Sequence, residues 1–147
     1  MPPKQKITKN DIIIAACEIV REEGADALNA RQVAAYLNCS TQPVFSNFST
    51  MEELRDAVIG TAEALFRDTV RQEMALGEYP PYKASGMAYI RFAAEEGELF
   101  RLLFMRDRSG EDTEAKNGLF DDMTAMLRGN GVVAEEDADL FHLEIWA

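Results

Sequence analysis

Between residues 40 and 50 the chain reads STQPVFSNFST, a stretch with two carboxamides, five hydroxyls and two phenylalanines but no charged side chain. A carboxamide offers a hydrogen-bond donor beside an acceptor, the pairing that complements the major-groove edge of adenine, so Gln42 or Asn47 is suited to reading a base. Hydroxyls of Ser40, Thr41, Ser46 and Thr50 suit phosphate oxygens, as do helix N-termini at Ser40 and Thr50. Nearby cations are expected from Lys4, Lys6 and Lys9 at the chain start and from Arg31. With so few, binding to a polyanion should show a shallow dependence on salt.

Other chemistry is sparse. One histidine, His142, and two cysteines, Cys17 and Cys39, outside any C-x-x-C spacing make up the soft ligands. They form neither a metal set nor a disulfide framework, so both thiols are expected to be reduced and His142 to be a half-buried helix residue. No nucleophile with a companion histidine, phosphate loop or metal-ligand spacing is present, and neither catalysis nor a cofactor or metal is expected.

The elements that would carry these residues are helical. Apolar spacing at i, i+3, i+4 and i+7 recurs through most of the chain, while alternating strand patterns are missing, which predicts an all-α fold. Thr8 and Asp11 open a first helix with Ile13, Ala16, Cys17 and Val20 on one face, and Gly24 closes it. Asn29 caps a second, short helix with Gln32 at its third position. A turn at Asn38–Cys39–Ser40 follows, and Ser40 caps a third helix that runs to about Phe48 with Pro43 in its first turn. Thr50 and Glu53 start a long fourth helix that stops at Gly77. Helices five (about 83–96), six (from Glu98), seven (113–131) and eight (from Glu135) are predicted beyond the helix-breaking EYPPY. The last apolar run, Leu140 to Trp146, meets the chain end without a stop, which predicts that a C-terminal segment is missing.

Helices two and three have the lengths of a helix-turn-helix, whose second helix enters the major groove. The order in IIIAACEIVREEGADALNARQVAAYLNCSTQPVFSNFSTMEEL (residues 12–54) is helix, Gly, capped short helix, Ser-capped helix, aromatic pair, then an acidic-apolar helix start. It resembles the DNA-binding domain of the TetR/AcrR family of transcriptional regulators. The resemblance implies a three-helix DNA-binding domain over residues 1–49 and a helical effector-binding and dimerisation domain over 50–147. It implies a ligand-responsive regulator, a repressor by preference, that binds a palindromic operator as a homodimer and is released by a small molecule. DNA contacts then fall on Lys9, Arg31, Ser40, Thr41, Gln42, Phe45, Ser46, Asn47 and Thr50, with Phe48 structural. Three positions depart from the family pattern. Phe45 replaces a frequent phosphate-touching tyrosine, Asn47 a histidine and Met51 a lysine.

In the second half the resemblance implies an effector cavity, with Phe66, Tyr89, Phe92, Phe100, Phe104, Met123, Met126 and Trp146 as its candidate lining. Residues 1–50 hold five basic and five acidic side chains, whereas 51–147 hold 10 and 21 and carry the whole net charge of −11. That sign favours a cationic, lipophilic effector. The fourth helix is expected to act as a lever between effector and reading head, a link that a Gly pair near Ala62 should break. An apolar signal core and a membrane-length run are both missing, so a cytoplasmic protein with no membrane partner is expected. The alternative reading is a helical protein-interaction module with a weak or vestigial DNA-binding head.

Overall fold

The computed structural model describes residues 6–107 together with 109, 110, 118 and 125. Of predicted helix seven only Gly118 and Ala125 are described, both helical, and the rest of it, all of predicted helix eight, and Met123, Met126, His142 and Trp146 lie outside the described residues. Among the described residues the chain is all-α, with no strand. Six α-helices follow in order: α1 (Lys9–Glu23), α2 (Ala30–Tyr36), α3 (Gln42–Asn47), α4 (Met51–Leu76), α5 (Pro81–Glu95) and α6 (Gly97–Phe104), with a 3₁₀ turn at Ala25–Ala27. Within those residues no helix is long and apolar enough to cross a membrane.

Local chemistry sets most helix ends. Thr8 accepts from the Asp11 N–H at 3.1 Å while the Asp11 carboxylate accepts from the Thr8 N–H at 2.9 Å, a reciprocal capping box that opens α1. Gly24 closes it at φ 90°, a backbone angle that L side chains rarely adopt. Gly77 ends α4 in the same way at φ 68°. The start of α5 corrects the sequence reading, which delays the helix to about Lys83. Pro81 is already its first residue, because the missing proline N–H would be unpaired there in any case and the Pro80 carbonyl accepts from the N–H groups of Lys83 and Ala84. Gly97, read as a stop, is instead the first residue of α6.

The structure divides into two compact units. In the first, residues 6–62 group with Glu96–Phe104, and α1 packs against the 3₁₀ turn, α2, α3 and α6. Its core is Ile12, Ala15, Ala16, Ile19 and Val20 of α1, Val33 and Ala34 of α2, Val44 and Phe48, Leu54 and Val58 of α4, and Leu99, Leu102 and Leu103 of α6. Of the predicted face of α1, Ala16, Cys17 and Val20 are buried, and Ile12 takes the inward place expected of Ile13. Ile12 is fully buried, Ile13 half-buried and Ile14 exposed, since three consecutive isoleucines leave the face undetermined by spacing alone. The described part of the second unit is Glu63–Glu95 together with residues 105–107, 109, 110, 118 and 125. Phe66 and Val70 of α4 and Ala84, Ala88 and Phe92 of α5 are its buried apolar residues. Phe66 and Phe92 meet edge to face with ring centroids 5.4 Å apart, a preferred aromatic geometry.

Candidate nucleic-acid interface

Two short helices and the turn between them present the polar stretch. Asn29 opens α2, its side-chain oxygen accepting from the Gln32 N–H at 2.9 Å. The helix is too short to persist alone and is held by buried Ala30, Val33 and Ala34. At its end, the Cys39 N–H donates to the Ala34 carbonyl and the Asn38 N–H to the Ala35 carbonyl, the paired bonds of a Schellman motif. Asn38 takes the left-handed conformation this requires, at φ 54°. Among non-glycine residues, asparagine is one of the few that tolerate it. The connection therefore spans residues 37–41, two more than the predicted turn.

The start of α3 differs from expectation. Thr41, not Ser40, is the residue from which the helix begins, and its side chain makes no capping hydrogen bond. Pro43 explains this. A cap hydroxyl needs the N–H of the second or third helical residue. Pro43 has none to offer, and the Val44 N–H donates to the Thr41 carbonyl at 3.1 Å. Ser40 stands exposed in the connection.

Only Val44 and the helix-ending Phe48 anchor α3 inward; Val44 is wholly buried and Phe48 is 3% exposed. Phe48 is structural, as its position suggests, and the Lys9 ammonium lies 4.9 Å from its ring centroid. That cation–π contact ties the first residue of α1 to the end of α3. On the outer side, Gln42, Phe45 and Ser46 are exposed, Phe45 at 56%, while Thr41 and Asn47 are half-buried. Two candidate readers bond back to their own helix. The Asn47 amide donates to the Pro43 carbonyl at 2.7 Å and the Ser46 hydroxyl to the Gln42 carbonyl at 2.9 Å.

Arg31 is exposed near the start of α2. Thr50, also exposed, accepts from the Glu53 N–H at 3.1 Å and so opens α4, while the Glu53 carboxylate accepts from the Ser49 N–H at 2.6 Å. Beside α3 lies an open concavity of about 810 Å³, bordered by Lys6, Asn38, Ser40, Gln42, Ser46 and Asn47. Four of the predicted contact residues thus share one surface with a cation. The sequence signal for Asn38 was its place in LNCS between two helices, where a residue able to turn left-handed is needed.

The aromatic residues of the second half separate into pairs. Phe66 and Phe92 are buried against each other in the second unit, with Tyr89 one turn earlier on α5 and half-buried. Burial raises the Tyr89 hydroxyl above its usual pKa. Phe100 and Phe104 lie with ring centroids 5.0 Å apart and planes tilted by 52° on α6, which belongs to the first unit. Burial likewise pushes up the Cys17 thiol in α1. Among the described residues no cluster of three or more His, Cys, Asp or Glu side chains is arranged to hold a metal. No protein-family model matches this chain, and no curated protein matches it.

Proposed function

We propose that the protein is a DNA-binding transcriptional regulator of the TetR type, with α2 and α3 as its helix-turn-helix and α3 as the reading helix. The observation that carries this reading is the outward face of α3. A six-residue helix held by Val44 and Phe48 exposes Gln42, Phe45 and Ser46, and no acid occurs anywhere in residues 27–51 of a chain that holds 26 acids. Such a ridge fits a major groove about 12 Å wide. Two copies would place their reading helices in successive grooves about 34–36 Å apart, which calls for a palindromic site and a homodimer. The effector, by this reading, is a small lipophilic or cationic molecule taken up by the acidic second half.

An electrophoretic mobility shift with the DNA upstream of the coding gene tests the reading. Wild-type protein should retard a discrete fragment, and Gln42→Ala should lose most of that retardation. Equal retardation of every duplex, or of none, would leave the helical interaction module as the better account. Few cations face the DNA, so the slope of log K against log salt should stay shallow, at about −0.9 per neutralised phosphate.

A further inference from the structure

We infer that the outer face of α3 selects A·T base pairs, Gln42 pairing with adenine and Phe45 lying against the thymine 5-methyl group. This rests on the DNA-binding reading above and adds the class of sequence it takes. Gln42 and Phe45 stand three residues apart on α3, where side chains share a helix face, and both are exposed. Phe45 is the only exposed phenylalanine among the described residues. It cannot turn inward without lifting Val44, its wholly buried neighbour, from the core. Of the two carboxamides, Asn47 is half-buried and tied back to the Pro43 carbonyl, whereas Gln42 is exposed on the outer face and is the better-placed bidentate partner.

The chemistry for the other base pair is missing from this face. Guanine is read most often by Arg or Lys on its O6 and N7, and no cation occurs between Arg31 and Arg55. Cytosine N4 is matched by a carboxylate, and none occurs in residues 27–51. Amide and apolar contacts are what remain. They match adenine and the thymine methyl, and the freedom from acid with Lys6 beside the concavity suits the polyanion that carries both.

Selection of the full chain against a random duplex pool, followed by fluorescence anisotropy on the enriched duplex, tests this. The enriched half-site should be A·T-rich where α3 lies. Replacing its thymines one at a time by deoxyuridine removes only the methyl, and at one position should weaken wild-type binding about fourfold, the worth of one buried methyl. Phe45→Ala should bind the thymine and uridine duplexes alike, whereas Phe45→Leu, which keeps an apolar contact, should keep part of the difference. Gln42→Ala should lose about five- to hundredfold on the A·T site. A G·C-rich half-site, or wild-type indifference to every uridine, overturns the inference and leaves DNA binding standing. Failure to enrich any duplex overturns the DNA-binding reading and this inference with it.

Discussion

Arg91 of α5 donates to Glu73 at 2.9 Å and to Gln72 at 2.9 Å and pairs with Glu95 at 3.3 Å, whereas Arg31 of α2 is exposed with no carboxylate partner among the described residues. The two arginines typify their surroundings. In residues 63–95, Arg67 pairs with Glu63 and Arg71 with Asp68 as well, so cations there are spent inside the fold. The hydrogen bonds that Arg91 donates to Glu73 and Glu95 hold its guanidinium above its usual pKa. In residues 27–51 the order comes instead from backbone devices: the Asn29 cap, the Schellman turn at Asn38 and two buried anchors on α3. The side chains left over there point outward and carry no negative charge. One region pairs its arginines with its own carboxylates, and the other leaves Arg31, Ser40 and Gln42 exposed.

The largest expected effects test whether the two regions differ in how many anchors they have. Phe92→Ala should cost about 3–5 kcal/mol, because it empties the edge-to-face pair with Phe66. Phe48→Ala should cost about as much and should also abolish the proposed DNA binding, since α3 would then be held by Val44 alone and Lys9 would lose the ring beneath it. Urea denaturation followed by circular dichroism measures both. If Phe48→Ala kept wild-type stability, α3 would not depend on so few contacts and the contrast would fail.

A smaller effect, about 1–2 kcal/mol, is expected at the turn. Asn38→Ala puts a side chain without a local hydrogen-bonding group into the left-handed region, which such residues resist by about that much. Asn38→Gly should be neutral or stabilising, because glycine enters that region freely. Thermal melts of the pair check the order, and similar melting temperatures for all three proteins would show that the turn is not what holds α2 against α3.

The parts of this molecule that local chemistry decides were legible in advance. Thr8 with Asp11, Asn29 with Gln32, Thr50 with Glu53, and Gly24 and Gly77 all mark helix ends where their side chains or backbone freedom supply what a terminus lacks. The sequence erred where two devices competed. Ser40 looked like a cap, but Pro43 removed a donor that a cap needs, and Pro81 looked like a breaker at a place where a helix tolerates it. Long-range pairing was invisible from sequence. The half-buried Arg21 of α1 bonds Glu18 and, at 2.9 Å, Glu96 just ahead of α6, 75 residues away, and no local pattern announces such a partner. For the candidate site, the residue types could be read, but the exposure of Phe45 and the back-bonding of Ser46 and Asn47 depend on how α3 rolls over Val44.

Ion pairs offer a direct comparison of the regions. Arg91→Ala should lower stability measurably, since it strips Glu73, whose side chain is only 12% exposed, of its partner. Arg31→Ala should change stability by under about 0.5 kcal/mol while weakening the proposed DNA binding and making its salt slope shallower by about 0.9. Raising sodium chloride should narrow the stability gap between wild type and Arg91→Ala through screening and leave the Arg31→Ala gap unchanged. A large stability loss at Arg31 would mean that the head also spends its cations on the fold.

The smallest effect concerns acid, where backbone caps should behave unlike ion pairs between side chains. The Asp11 carboxylate is held below its usual pKa by the Thr8 backbone N–H and then by the Thr8 hydroxyl. A group whose folded-state pKa is depressed gives its full stabilisation above the unfolded value, about 3.9 for Asp, and loses it as pH falls through the folded value. Asp11→Asn keeps an oxygen that can accept from Thr8 but cannot titrate. The stability difference between wild type and Asp11→Asn should therefore be flat from neutral pH down to about pH 5 and should close below about pH 4. Since Asp11 is exposed, the change should be small, and urea midpoints taken at half-unit pH steps would resolve it. A difference that grew toward low pH would mean that the charge at the α1 N-terminus opposes the fold, and the head would then owe its order to its apolar anchors rather than to its caps.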